Sequence, residues 1–573
     1  MAGIYGILSK DNLNLSNLFN MFFTSPLNNI INEEYKYDNF IYGRSTINRF
    51  TNDRVIYETN DLIISFEGIF FNKEHEKSHD TIQNWYSEYG IDFVKKIKGQ
   101  FSGFIYDKRI EKLFIFNDHL STKPIYYFQD KNIFIFSSEL KVITKLQEKL
   151  KIQKELDYDA VYLMLTFGYM LGDTTYEKKT KKLNYSTILE VNLDFNIKEK
   201  QYFKYEKKEN HKLLKSEIIE RIDELLLKSV KYCWQKNEEY KYSHYAFLSG
   251  GLDSRVNVFL AKELGYQSIN TITFSQSKSS DDIISKRISK NENFNHRFFS
   301  LDDGKYLEKD LVKYVGANDG IVNFQGAAAG FNILRNFQLP NLGAIHSGQI
   351  GDVLFGSFVK NKFSLNSGIV SNQDNLLKKI SFFKEFQKKY NNNSEIFSFE
   401  QRQQNNTFNG DRTYSHFTDL FSPFYDRELI EFCLTIPDKY KKDEAIYLDW
   451  FNKKHKSISD YEWESAGIKP YNIKLVKIAK IFKRYKNAVL RRLGFNINDM
   501  NPFDIWLKNN PNIMKNLDNT YNRLIKIIVD NELKKLLISM YETDIKYSHY
   551  GRNNKFLVVT FLLAYELHFG ENH

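Results

Sequence analysis

Over residues 1–205, apolar positions come in short runs broken by Gly, Asn and Asp: Gly3 to Leu8, Leu62 to Phe66, Phe101 to Tyr106 and Lys112 to Phe116. Runs of this length rich in Ile, Phe and Tyr predict strands, and two stacked sheets with covering helices accommodate them. Thr81 to Tyr89 and Asp157 to Met164 carry helical spacing instead. A charged stretch, Lys207-Lys208-Glu209-Asn210-His211, followed by an amphipathic helix from about Lys215 to Trp234, puts a boundary near residue 210. Beyond it the pattern changes. Strand Tyr245–Leu248 precedes helix Arg255–Gly265, strand Ile272–Ser275 precedes helix Ser280–Lys286, and His296 to Leu301 reads as the next strand. Such alternation predicts a parallel, doubly wound sheet with ligands beyond the carboxyl ends of its strands. The expected architecture is therefore an α+β unit over 1–205 and an α/β unit over 212–573. The second unit carries a polar, Asn/Gln-rich insertion at 360–414 with a helix at Leu376–Phe386, and a helical tail from 471. The insertion could cover an active site or recognise a substrate.

One stretch carries chemistry: Phe247-Leu248-Ser249-Gly250-Gly251-Leu252-Asp253-Ser254, a strand end, a tight turn and a helix start. Two glycines let the backbone approach an anion closely. The first amides of the helix, at its positive dipole end, then face that anion. Ser249 and Ser254 add hydroxyl donors, and Asp253 can hold a divalent cation against phosphate oxygens. The stretch reads as a pyrophosphate cradle, with an ordinary Ser-Gly-Gly turn as the plain alternative. It is not a Walker loop, because the lysine and the longer glycine spacing are missing.

Composition narrows the class without naming it. The 573 residues suffice for two to four domains, and 42% hydrophobic with 27% charged residues describes a soluble globular chain. The net charge of +10 comes from 81 basic against 71 acidic residues, a diffuse excess that gives no compact nucleic-acid surface. Cys233 and Cys433 offer neither a disulfide framework nor metal-ligand spacing, and buried free thiols suit a reducing compartment. Met1 to Leu8 lacks a basic leader, and the longest apolar run, Phe556 to Tyr565, is too short to span a bilayer, so a cytoplasmic location is expected. Between Asn472 and Leu493 lie Lys474, Lys477, Lys480, Lys483, Arg484, Lys486, Arg491 and Arg492 with no acidic residue. That segment could meet an anionic membrane surface or partner; a solvated helix face is the commoner use of such a pattern.

The Ser249–Ser254 run resembles the pyrophosphate loop of the N-type ATP pyrophosphatases, in the asparagine-synthetase branch that also holds β-lactam synthetases and lasso-peptide cyclases. The resemblance extends in order along the chain. Met1-Ala2-Gly3-Ile4 stands where the family opens Met-Cys-Gly-Ile, and Glu67-Gly68-Ile69-Phe70-Phe71-Asn72 resembles Asn-Gly-Glu-Ile-Tyr-Asn. Lys98 to Phe104 resembles its Gly-x-Phe-Ala-Phe strand, Asn117 to Tyr127 its Arg-Asp-x-x-Gly-x-Lys-Pro-Leu-Tyr-Tyr, and Ser137 to Lys141 its Ala-Ser-Glu-Leu-Lys. Ser347-Gly348-Gln349-Ile350-Gly351-Asp352-Val353-Leu354-Phe355-Gly356 looks like the family's Ser-Gly-Glu-Gly-Ala-Asp-Glu-Leu-Phe-Gly. The resemblance implies a glutaminase-like domain of the N-terminal-nucleophile hydrolase fold, followed by an ATP-pyrophosphatase domain that binds ATP and Mg²⁺. It places Asp253 and Asp352 on the metal, Ser347 and Gly348 along the adenylate, and Phe247 and Phe274 against the adenosine, although both rings could equally be core aromatics.

Departures matter as much as matches. Ala2 has a methyl group where a glutaminase needs its thiol, and Glu67 and Ile69 replace the Asn and Glu of the glutamine pocket, while Arg44 and Asp80 look retained or structural. Gln349 stands where asparagine synthetases carry Glu and β-lactam synthetases Tyr; an amide can orient a substrate but accepts no proton. Asp419, in a segment resembling Glu-Ala-Arg-Val-Pro-Phe-Leu-Asp, is then the candidate base, against a structural helix-loop carboxylate. Lys469 is the candidate for the family's late lysine, displaced by several residues and equally readable as a surface lysine. The expectation is an ATP-dependent amide-bond ligase that adenylates a small-molecule or peptide carboxylate for attack by an amine, without glutamine hydrolysis and with no nucleic-acid partner. An asparagine synthetase running on free ammonia and an ATP-binding pseudoenzyme are the competitors. Homo-oligomerisation stays open.

Overall fold

The computed structural model describes residues 3–27, 29–359, 363–492, 499–544 and 549–570; Ala2 lies outside them. The N-terminal half is a sandwich of two six-stranded sheets. Its strands are β1 (Gly3–Ser9), β2 (Ile30–Tyr37), β3 (Phe40–Ile47), β4 (Val55–Glu58), β5 (Leu62–Phe70), β6 (Gly99–Asp107), β7 (Lys112–Asn117), β8 (Tyr126–Asp130), β9 (Ile133–Ser137), β10 (Thr180–Lys182), β11 (Thr187–Val191) and β12 (Ile197–Gln201). One sheet runs β10-β8-β9-β1-β3-β2 and the other β12-β11-β7-β6-β5-β4. Ile4, Leu8, Phe40 and Tyr42 from the first meet Ile63, Phe104, Leu113 and Ile115 from the second in a core between the layers. Helix α1 (Ser78–Tyr89) covers the outer face of the second sheet through Ile82 and Trp85. Helices α2 (Leu140–Lys149) and α3 (Tyr158–Phe167) follow β9.

The C-terminal half opens with α4 (Lys215–Glu239), five residues longer than its periodicity predicts. A five-stranded parallel sheet follows, built from β13 (Ser243–Phe247), β14 (Asn270–Ser275), β15 (Asn295–Ser300), β16 (Leu342–His346) and β17 (Leu420–Phe421). Its order is β15-β14-β13-β16-β17, so the winding reverses between β13 and β16. Crevices form at such a reversal, beyond the carboxyl ends of the two strands. Helices α5 (Leu252–Glu263) and α6 (Ser280–Glu292) leave β13 and β14. The insertion departs from expectation. Its helix is α7 (Phe383–Tyr390), preceded by a separate tight turn at Asp374–Lys379. It packs on the N-terminal half: Tyr185 donates to Glu400 at 2.7 Å, the Gly172 amide to Gln401 at 2.7 Å, and Lys182 to Asn405 at 2.8 Å. The tail contains α8 (Ile473–Arg492) and α9 (His549–Phe569), and His568 of α9 returns to Thr144 of α2 at 3.2 Å.

Buried charge joins the two halves. Arg54 bridges Glu67 (2.6 Å) and Asp419 (2.5 Å), and Lys123 takes the other Asp419 oxygen at 2.6 Å. Asp53 meets Lys73 at 2.8 Å and Lys236 of α4 at 2.9 Å, while Asp319 meets Arg412 at 2.7 Å and Lys141 of α2 at 3.1 Å. Burial alone would raise the Asp419 carboxyl, but Arg54 and Lys123 hold it far below the usual carboxylate range. Removing one member of such a group strands the others without a counter-charge. Asp419→Asn is expected to lower unfolding free energy by about 3–5 kcal/mol in urea titrations. Because the folded carboxyl titrates below its unfolded value near 4, this contribution persists down to about pH 4 and is lost only as the pH falls further.

Candidate active site

The Ser249–Ser254 turn is held from within and from outside. The Ser249 amide and hydroxyl reach the Ser254 hydroxyl at 3.1 and 2.9 Å, and the Gly251 amide donates to Ser249 Oγ at 3.1 Å. Asp281, in the first turn of α6, accepts the Gly250 amide at 2.9 Å, and Arg255 donates to the Gly250 carbonyl at 3.1 Å. A Cβ at Gly250 would meet Glu464 Cβ at 2.7 Å, whereas Gly251 is crowded by nothing but the Ser249 hydroxyl at 3.2 Å and fronts the cleft. Leu252 is the first residue of α5, buried beneath the turn, and Leu248 is buried at the strand end.

The 347–352 turn after β16 lies directly on the start of α5. A Cβ at Gly348 would sit 2.2 Å from the Ser254 nitrogen, and one at Gly351 2.5 Å from Asp253 Cγ, so neither position tolerates a side chain. Ile350 between them takes φ +61°, the left-handed region a branched residue rarely occupies. The result is a pair of carboxylates: the Asp352 amide donates to Asp253 Oδ2 at 2.9 Å. Burial, then Asp352, then Glu444 raise the Asp253 carboxyl well above its usual range, and burial with Glu444 raises Asp352. Two half-buried acids that repel each other fit a magnesium ion that draws its remaining ligands from water and phosphate oxygens. No set of three or more His, Cys, Asp or Glu side chains among the described residues is arranged to hold a metal alone.

Asp253 and Asp352 open on a cleft of about 750 Å³ that is also lined by Ser357, Asp443, Glu444, Trp463, Lys477 and Lys480. Lys480, on α8, pairs with Glu444 at 2.6 Å and lies 3.7 Å from the centre of the Trp463 ring. Ser357 donates to the other Glu444 oxygen at 3.0 Å, and Lys477 pairs with Asp443 at 2.7 Å. Asp443 and Glu444 both have φ near +60°, at 59° and 61°. Lys469 is not in the cleft. It is exposed beside the Tyr471 ring, because the Trp463–Ile468 bridge turns the chain away before it. The cations that line the cleft are Lys477 and Lys480 of the next helix.

On the other side of the 347–352 turn, Gln349 Nε2 donates to Asp411 Oδ1 at 2.7 Å, and the Tyr425 hydroxyl donates to Gln349 Oε1. Burial pushes the Asp411 carboxyl up to about 7, with the Gln349 bond opposing. Asp411 and Tyr425 border a small cavity of about 30 Å³. Asp419 borders it too, but both its oxygens are engaged by cations, so it is a strut and not a free base. Phe247 and Phe274 stand edge to face at 5.5 Å on the carboxyl ends of β13 and β14, with Tyr414 5.8 Å from Phe247. Ser347 is buried, its carbonyl accepting from Asn257 at 2.8 Å. In the N-terminal half, Arg44 pairs with Glu33, Asp80 is exposed beside His79, Glu67 is consumed by Arg54 and Ile69 is fully buried. Glu444, Lys480 and Asp411 escape sequence reasoning; Lys477 and Lys480, three apart on one helix face, are the only local hint.

Two family models match along the chain. Residues 56–203 match the model of a glutamine amidotransferase domain and residues 221–458 that of asparagine synthase. A putative glutamine-hydrolysing asparagine synthetase of Methanocaldococcus jannaschii is 33% identical over 37% of this chain and 43% of its own length. A glutamine-hydrolysing asparagine synthetase of Bacillus subtilis is 27% identical over 42% of this chain and 35% of its own. The alignments thus span less than half the length of these relatives. Among solved structures, the allosteric regulatory enzyme of purine biosynthesis overlaps 52% of the chain at 8% identity and a TM-score of 0.26. The glutamine phosphoribosylpyrophosphate amidotransferase of B. subtilis does so at 9% and 0.23.

The raised Asp253 carboxyl makes folded-state stability fall as pH rises above the unfolded value near 4, the reverse of the Asp419 case. Asp253→Asn is expected to flatten that slope and raise the melting midpoint at neutral pH by about 2–4 °C. Added Mg²⁺ with ATP should raise the wild-type midpoint and leave the variant unmoved in a thermal scan.

Proposed function

We propose that this chain, with an amidotransferase-type half and an asparagine-synthase-type half, is an ATP-dependent carbon–nitrogen ligase that forms an acyl-adenylate and passes it to an amine. The observation that carries the reading is the apposition of the Ser249–Ser254 turn and the 347–352 turn, which brings Asp253 and Asp352 together at the winding reversal of a parallel sheet. Bound Mg²⁺ would offset phosphate charge there. Amides and hydroxyls of the Ser249–Ser254 turn receive the departing pyrophosphate, a preorganised electrostatic contribution. Lys480, released from Glu444, faces the same phosphates across the cleft and takes the role expected of Lys469. Phe247, Phe274 and Tyr414 offer the base a ring-lined wall, and Ser347 and Gly348 flank the adenylate.

Gln349 holds the acyl group, and Asp411 behind it is the proton acceptor for the attacking amine, in place of Asp419. A base near pKa 7 is half-ionised at neutral pH, which suits that task. The amine comes from a second substrate or from the same molecule, because the amidotransferase-type half has no described thiol. Cys233 and Cys433 both belong to the other half, and burial pushes the Cys433 thiol up to about 12. The carboxylate is a small molecule or peptide.

Pyrophosphate exchange tests the reading: labelled pyrophosphate should enter ATP in the presence of Mg²⁺ and one acid from a panel of L-aspartate and pooled carboxylates. Asp253→Ala should abolish it. No exchange with any acid, together with no heat of ATP binding, would sink the ligase and leave a binding protein. With the acid found, Asp411→Asn should keep exchange within a few-fold and lower amide formation about 10²–10⁴-fold. The wild-type rate of amide formation should rise with pH through about 7, and the variant should lose that rise.

A further inference from the structure

Helix α8 turns a face to solvent that a water-exposed helix does not need. Leu475, Ile478, Phe482, Tyr485 and Val489 recur at steps of three and four residues and so form one stripe. All five are more than half exposed, Phe482 and Tyr485 at 71%. Of the twenty exposed large apolar side chains among the described residues, seven fall within 471–489. Single exposed apolar residues are ordinary, whereas a contiguous strip of them marks an interaction surface.

The opposite face is already used. Val476 is buried against the body of the protein, Lys480 lies over Trp463, and Lys477, Lys480 and Lys483 pair with Asp443, Glu444 and Glu464. Lys474 and Lys486 flank the apolar stripe on either side, are exposed, and form no ion pair among the described residues. No Asp or Glu occurs from Ser465 to Asn498. At 20 residues the helix is about 30 Å long.

Shape and charge together select what covers this face. The helix touches the body along a narrow line and stands out as a convex ridge, with most positions from 474 to 489 exposed. A protein partner would need a groove matching that ridge and carboxylates flanking it. A bilayer surface yields around a ridge, takes Phe, Ile and Leu into the acyl boundary, and offers anionic headgroups to flanking cations whose stems lie along the apolar surface. We propose that α8 seats the protein peripherally on an anionic lipid surface, with Ile478, Phe482 and Tyr485 inserted and Lys474 and Lys486 at the headgroups. No helix among the described residues is long and apolar enough to cross a membrane, so the contact is interfacial. The inner face of the same helix walls the cleft, and lipid seating therefore fixes one side of it.

The test is cosedimentation of the full chain with phosphatidylcholine vesicles, with and without a quarter of phosphatidylglycerol, at about 0.1 M salt, where charges are screened beyond about 10 Å. Wild type should pellet with the anionic vesicles at least about tenfold better than with the neutral ones, and 1 M salt should release it. Amide exchange over 473–490 should slow on binding. The double variant I478D/F482D, altered at outward positions away from the cleft, should lose anionic-vesicle binding by at least about tenfold with an unchanged melting midpoint. In Lys474→Gln and Lys486→Gln, each lost cation should weaken binding about fivefold. Failure of wild type to pellet with phosphatidylglycerol vesicles, or wild-type binding by I478D/F482D, would overturn the proposal. So would a dimer in sedimentation velocity that I478D/F482D dissociates, which would assign the face to a second copy of the chain. None of these outcomes touches pyrophosphate exchange, so this inference and the ligase reading stand or fall separately.

Discussion

The contact on which the cleft depends is the approach of the 347–352 turn to the first turn of α5. Its two closest points are glycines, and the separations leave no room for a methyl group at either: 2.2 Å at Gly348 and 2.5 Å at Gly351. That approach threads the Asp352 amide onto Asp253, so the backbone of one turn orients the carboxylate of the other. It also accounts for the left-handed Ile350, a conformation that costs on the order of 1 kcal/mol or more and persists only where surrounding packing demands it. The Ser249–Ser254 turn lies on one side of this junction, and Gln349 and Asp411 lie on the other.

Buried carboxylates meet two fates here, and the difference separates chemistry from architecture. Asp419 and Asp319 are held far below the usual range because each is gripped by two cations that link the halves. Asp253 and Asp352 are held above it by burial and like charge, and Asp411 by burial, with no cation at contact distance. The first kind contributes to stability and has no proton to exchange near neutrality. The second kind costs stability and is ready for a metal ion or a proton, the pattern expected where function is built at the expense of the fold. The interface between the halves is thus a set of paired charges, whereas Asp253 and Asp352 stand in the crevice without a cation at contact distance.

The rest of the chain docks on the N-terminal half through buried ion pairs and through the insertion. Glu67 and Ile69 are engaged in the Arg54 bridge and in the core, and the insertion lays Glu400, Gln401 and Asn405 on this half. Asp411 stands at the end of that insertion, so docking of the insertion on the sandwich positions it against Gln349. The tail helix α9, returning to α2, clamps the same face.

Much of this was legible in the chain because its signals are local. Short apolar runs and the 3.6-residue period announce the sandwich and the wound sheet, and the Ser-Gly-Gly-Leu-Asp-Ser turn announces itself, since strand end, glycines and helix start are consecutive. The second turn, with Asp352, is recognisable for the same reason. Asp411, Glu444 and Lys480 are not, because each is brought in from 59 to 128 positions beyond Asp352 or from the far end of an insertion, and nothing in its own neighbours marks it. Asp419 and Lys469 stood in the expected segments, yet whether a carboxylate is a base or a strut depends on which cations fold against it, and whether a lysine reaches a cleft depends on where the chain turns. Sequence alone determined the two turns and the sheet that presents them. Tertiary packing decided the surroundings of Asp411, the place of Lys480 in the cleft and the outward face of α8, because those depend on through-space neighbours that no local run of residues encodes.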